Sequence, residues 1–160
     1  MRKPRGPFRA VRYSVPHMEV WTTPVIMVET LALVYYNALR RATGSTVLRT
    51  ICAQILADEV PHLRFQCERL ALLFHRRPGW AVRLTLLAHR LCFLAVMALI
   101  WVGHRRALRA GGYGWRRYWR AAWDRMNAGW RLMEPRRYHF TGSRQRGPAQ
   151  GAAGALIARV

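Results

Sequence analysis

Residues 55–66 read Ile55-Leu-Ala-Asp-Glu-Val-Pro-His-Leu-Arg-Phe-Gln66, and the stripe that runs through them decides the fold. Stepping by three or four residues, Leu48, Cys52, Ile55, Glu59, His62, Gln66, Leu70 and Leu73 fall on one face of a helix. Ser45 or Thr46 offers an N-cap before this stripe, and Pro78-Gly79 a stop after it. The spacing predicts one helix reaching about Arg76, bent at Pro61, where proline removes a backbone hydrogen bond. Glu59 and His62 lie within the apolar stripe and are expected to point inward. A carboxylate and an imidazole buried together are costly unless something pairs with them.

The preceding segment supplies a partner helix. Thr23 reads as its N-cap and Pro24 as its first residue, where the missing N–H costs nothing. Val25 to Tyr36 is apolar on nearly every face, and Arg40 and Arg41 suit the negative end of the helix before a stop at Gly44. Glu29 precedes Gly44 by 15 residues and Glu59 follows it by 15. Folded about that glycine, both stand about 22 Å from the turn, at one level. Two carboxylates and an imidazole therefore converge, and such like charges repel unless a proton or a cation intervenes. Oxygen and nitrogen donors of this kind suit iron or manganese. The competing reading is a satisfied structural cluster, with Glu29 or Glu59 paired to Arg64 or Arg69, or His62 bonded to a tyrosine.

Glu on one helix and Asp-Glu-x-x-His on its partner (Glu29, then Asp58, Glu59 and His62) resembles the half-site of the ferritin-like di-iron carboxylate superfamily. Ribonucleotide reductase small subunits, multicomponent monooxygenases and rubrerythrins share that pattern. Leu31-Ala-Leu-Val-Tyr-Tyr-Asn-Ala-Leu-Arg-Arg-Ala-Thr-Gly-Ser45 together with residues 55–66 is also similar to bacterial ferritin-like proteins. The resemblance covers residues 24–75 and implies Glu29, Glu59 and His62 as iron ligands, Asp58 as acceptor for a metal-bound histidine, and Tyr36 as a neighbouring or redox tyrosine. It implies redox or oxygen-handling chemistry on a di-iron centre, with manganese as the alternative ion. A complete centre of that kind draws on two such halves. The sequence shows one Glu-x-x-His half, so its completion is expected from a second copy in a homodimer or from an N-terminal half outside this chain.

The rest of the chain extends an all-α helical bundle: a ferritin-like antiparallel hairpin (24–76) plus two further helices (81–133), within a helical unit spanning 23–134. Residues 1–22 read as a basic N-terminal arm and 135–160 as a disordered tail. The third helix holds an apolar run from Leu91 to Gly103, shorter than the ~20 residues a spanning helix needs, so a buried or interface helix is expected and entry of 84–103 into a membrane is the alternative. His89 and His104 lack carboxylate neighbours and read as packed or helix-end histidines. Trp115, Trp119 and Trp123 recur at every fourth position beside Arg116, Arg117 and Arg120. They are expected to pack on the third helix while the arginines reach water, with an anionic membrane surface as the rival partner.

The formal charge is +20, yet Lys3 is the only lysine, and an arginine excess with abundant Ala and Gly is what GC-rich coding yields unselected. The charge is accordingly only a modest hint of a partner, and nucleic acid is a weaker expectation than the metal site. Cys52, Cys67 and Cys92 form no C-x-x-C pair, which argues for reduced, buried thiols and a cytoplasmic location. The start, Met-Arg-Lys-Pro-Arg-Gly-Pro, precedes no apolar stretch, so no secretory signal is expected. No Ser/His/Asp arrangement and no Gly-rich phosphate loop support hydrolysis or nucleotide binding. The rival to a metalloprotein is a non-enzymatic basic protein on an anionic membrane or nucleic acid.

Overall fold

The computed structural model of the chain describes residues 8–138. Residues 1–7 and 139–160, the ends of the expected arm and tail, lie outside them. Four helices follow in order: α1 (Phe8–Ala42), α2 (Thr46–His75), α3 (Gly79–Ala110) and α4 (Trp115–Leu132), with a short 3-10 turn at Pro135–Arg137. Among the described residues there is no strand, and the class is all-α.

The first helix corrects the sequence reading. It does not begin at Thr23-Pro24 but runs through both from Phe8, so the expected basic arm is helical over 8–22. Proline inside a helix costs about 3 kcal/mol through its missing N–H and its clash with the preceding turn. Here Pro24 and Val20, one turn apart, are both exposed, so the broken hydrogen bond faces solvent. Long-range contacts hold the earlier turns in place. Thr23 does not cap the helix; its Oγ1 lies 3.0 Å from Nε2 of His89 in α3. Arg77, between α2 and α3, donates through Nη1 to Oε1 of Glu19 at 3.0 Å and through Nη2 to Oε2 of the same carboxylate. Local start signals gave way to tertiary anchoring.

The second helix starts as its sequence indicates, with Ser45 Oγ accepting from Leu48 N at 3.3 Å. It is continuous through Pro61, which is also exposed. Its buried stripe is Cys52, Leu56, Leu63, Cys67, Leu70 and Phe74, with Gln66 and Ala71 beside it. That line is rotated by about one position from the expected one, leaving Glu59 at the boundary and His62 exposed.

Helix α1 packs against α2, α3 and α4, and α4 also meets α2 and α3. Ile26, Met27, Leu31, Leu33, Val34 and Ala38 from α1 form one wall of the core. Phe93 and Met97 of α3, with Tyr118, Ala122 and Met126 of α4, close it. Each fully buried side chain of Leu, Ile or Phe size contributes about 1.5–3 kcal/mol. The α3–α4 corner closes on α1, where a Cβ on Gly111 would overlap the Ala38 carbonyl group. Gly112 takes φ +83°, which glycine adopts without strain. Beside it, Asn37 Nδ2 donates to the Tyr113 hydroxyl at 2.7 Å, both residues buried.

The tryptophans of α4 pack on α3: Trp115 against Trp101 (centroids 5.3 Å) and Trp123 against Phe93 (6.3 Å). Helix α3 itself is long and apolar enough to cross a membrane, with a mean hydropathy of 2.0 over its most apolar 18 residues and 17% of that window buried. Only His89, Phe93, Met97 and Leu108 are buried along it, while Trp80, Leu84, Leu87, Leu91, Leu99 and Val102 are exposed. Cys52 and Cys67 are buried as expected, and burial pushes the Cys67 thiol up to about 12. Cys92 departs from that expectation and is exposed. Tyr138, in the expected tail, donates its hydroxyl to the Leu132 carbonyl at 2.8 Å.

Candidate metal centre

The antiparallel hairpin brings Glu29 of α1 level with Glu59 and His62 of α2. His62 Nδ1 lies 3.1 Å from Glu29 Oε1 and 3.8 Å from Glu59 Oε2. One donor atom from each of the three residues falls within 4.8 Å of the others, close enough to share an ion. The levelling follows from equal spacing about Gly44, and the shared face from the i, i+3 spacing of Glu59 and His62.

The site is one-sided rather than dry. The Glu29 side chain is 13% exposed and that of Glu59 26%, but His62 is 56% exposed. The rotation of α2 explains this. Leu63 and Cys67 turn into the bundle, and Cys67 Sγ lies 3.5 Å from where a Cβ on Gly129 of α4 would stand. His62, one position back, therefore faces outward at the α1–α2 seam. Phe65, three residues on, is exposed beside it, while Ile51 and Val47 are exposed about 16 and 22 Å further back along α2.

Electrostatics at the seam are unbalanced. Glu29 Oε2 and Glu59 Oε2 are both buried atoms with no hydrogen-bond partner. Burial raises the Glu29 carboxyl above its ordinary 4.5, against the lowering influence of His62 and a hydrogen bond from Gln66. Arg64, one of the expected partners, pairs with neither carboxylate. It instead donates to Glu68 at 2.9 Å. Of the structural alternatives, pairing with Arg64 is thus not what this seam uses. A cation held by the three side chains would offset the cost of the two buried carboxylates, and the donor set of two oxygens and one imidazole nitrogen fits iron or manganese.

Two of the residues assigned from the resemblance stand apart. Asp58 is exposed and accepts from Gln54 Nε2 at 2.9 Å, so it does not orient His62. Its position next to Glu59 turns it about 100° around the helix, away from the seam. Tyr36 is half-buried two turns beyond Glu29, with its ring edge-on to Tyr35 at 5.6 Å. The side chain that touches His62 is instead Gln66, through its amide donor rather than as an acceptor. Its Nε2 lies 3.1 Å from both Glu29 Oε1 and His62 Nε2. The signal for it was present in the sequence, since Gln66 follows His62 by one helical turn on the same stripe. The other histidines remain outside the site: His89 bonds to Thr23, and His104 packs edge-on to Tyr35 at 5.0 Å.

No family model, curated protein or solved structure matches this chain.

Proposed function

We propose that the chain binds a divalent transition metal, iron or manganese, through Glu29, Glu59 and His62, as a ferritin-like protein of the di-iron carboxylate type. The observation that carries this reading is a pair of buried carboxylate oxygens, Glu29 Oε2 and Glu59 Oε2, left without hydrogen-bond partners beside an imidazole. A bound iron ion would supply redox chemistry toward dioxygen.

The chain's own residues hold and orient. Gln66 fixes the His62 ring by its far nitrogen, leaving Nδ1 to face the carboxylates. As placed, the Gln66 amide donates to Glu29 Oε1 and faces His62 Nε2, which keeps the ring proton on Nδ1; with Nδ1 given to a metal, that proton moves to Nε2 and the amide oxygen turns toward it. The exposed side of the seam admits an ion from solution and leaves coordination positions for water or for a second hairpin. The exposed Phe65 beside His62, with Ile51 and Val47 further back along the same helix, favours a hairpin from a second copy along this side of α2. Metal analysis after expression in iron-supplemented medium tests the reading. Near-stoichiometric iron that is lost in a Glu59→Ala/His62→Ala variant supports it, and a metal-free wild type that stays metal-free on reconstitution removes it.

A second reading is supported by the outer face of α3, where Trp80, Leu84, Leu87, Leu91, Leu99 and Val102 are exposed on a chain of +20 charge. In it, the protein is a non-enzymatic basic protein on an anionic membrane surface. Salt-sensitive binding to anionic liposomes without any metal dependence favours it over the first.

A further inference from the structure

Far from the seam, the end of α2, the start of α3 and the end of α4 enclose a cleft of about 540 Å³. That volume lies within the range of sites that hold small organic ligands. Its floor is apolar, made by Phe74, Val82, Leu86 and Trp130, and its rim is cationic, with Arg83, Arg90, Arg131 and Arg136. A fifth arginine, Arg77, also lines it but is committed to Glu19. None of the other four is ion-paired to a carboxylate among the described residues, although Glu134 lies in the same wall.

Four guanidinium groups crowded round one apolar cleft repel each other, and their planar forks match phosphate oxygens two at a time. A further feature draws an anion to the same place. Gly79, the first residue of α3, lines the cleft, and Pro78 before it provides no side-chain cap, so the positive end of a long helix opens there. At the floor, Trp130 is 6% exposed and presents its ring to the cleft lining. The Arg90 guanidinium lies over the same indole ring, 5.3 Å from its centroid, which holds one cation at the apolar floor.

From this we infer that the cleft is a binding site for a phosphate-bearing amphiphile: phosphate on the arginine rim, an apolar body on Phe74, Val82, Leu86 and Trp130. Both a membrane lipid headgroup and a soluble phosphorylated metabolite carry that chemistry. The site is separate from the metal centre and does not depend on it.

The test is isothermal titration of the full chain with dioctanoyl phosphatidic acid below its micellar concentration. Saturable one-to-one binding is expected, at least tenfold tighter than dioctanoyl phosphatidylcholine. An Arg83→Gln/Arg131→Gln variant, checked for helical content by circular dichroism, weakens it at least tenfold. Arg105→Gln/Arg106→Gln, with the same loss of charge at the other end of α3, leaves it within twofold, as does Glu59→Ala/His62→Ala. Competition by inorganic phosphate and glycerol phosphate in solution identifies a soluble source. Tighter capture by vesicles containing phosphatidic acid than by the monomer identifies a lipid source. Equal weakening by both arginine pairs, absence of saturable binding, or displacement by a short single-stranded oligonucleotide that binds more tightly than the amphiphile overturns the inference.

Discussion

Glu29 and His62 meet at 3.1 Å across the α1–α2 seam, yet one is largely buried and the other more than half exposed. A buried carboxylate with one oxygen unpartnered is a cost to the fold on its own. Replacement by its neutral isostere keeps the shape and keeps an acceptor for Gln66. Glu29→Gln is therefore expected to raise the metal-free melting temperature at pH 7, and to abolish any further rise with manganese. Wild type, at an ion concentration 100-fold above its Kd, gains about 2.7 kcal/mol, or roughly 5–10 °C for a chain of this size. Thermal scans of both proteins with and without manganese check the pair of outcomes.

Asp58 gives a sharp control. It is exposed, bonded to Gln54 and turned away from the seam, so Asp58→Ala should leave metal affinity within twofold. Gln66→Leu, which removes the bond to His62, should weaken it by about 10–100-fold, the usual effect of losing a group that orients a ligand. Parallel metal titrations of the two variants decide between them.

His89 sets an acid limit on stability. Burial lowers its pKa below 6.5, with Glu19 raising it and Arg77 lowering it. A depressed folded value means the unfolded chain takes up the proton first. The contribution of the neutral ring is complete above pH 6.5 and is lost as pH falls through the folded value. Denaturant midpoints between pH 7.5 and 5 should fall for wild type, and fall less for His89→Gln, which retains a group able to bond to Thr23.

Two positions test the clamp of the α3–α4 corner on α1. Gly111→Ala places a methyl group into backbone atoms of Ala38 and should cost about 3 kcal/mol or more, above the usual range for overpacking because backbone must shift. Tyr113→Phe leaves the Asn37 amide buried and short of an acceptor, at about 1–3 kcal/mol. Urea unfolding of each variant measures both.

The hairpin and its two-carboxylate, one-imidazole level were legible because helical rise and spacing about Gly44 are arithmetic on the chain. The phase of α2 was not. Glu59 and His62 share a stripe with Cys52 and Leu70, but the true core line runs through Leu56, Leu63 and Phe74, and that choice depends on how α4 packs against Cys67. The start of α1 was also hidden, because Thr23-Pro24 carries a strong local start signal while His89 and Arg77, which override it, lie far along the sequence. The arginine cleft escaped for the same reason: its wall comes from three helices, and no short motif marks it.

Manganese titration followed by electron paramagnetic resonance addresses the central claim without relying on turnover, since only the free aqueous ion gives the sharp six-line signal. Wild type is expected to suppress this signal up to about one equivalent per chain, whether a single hairpin or a pair of them holds the ions, and Glu29→Gln/Glu59→Gln is not. Superimposable curves for the two proteins would contradict that claim.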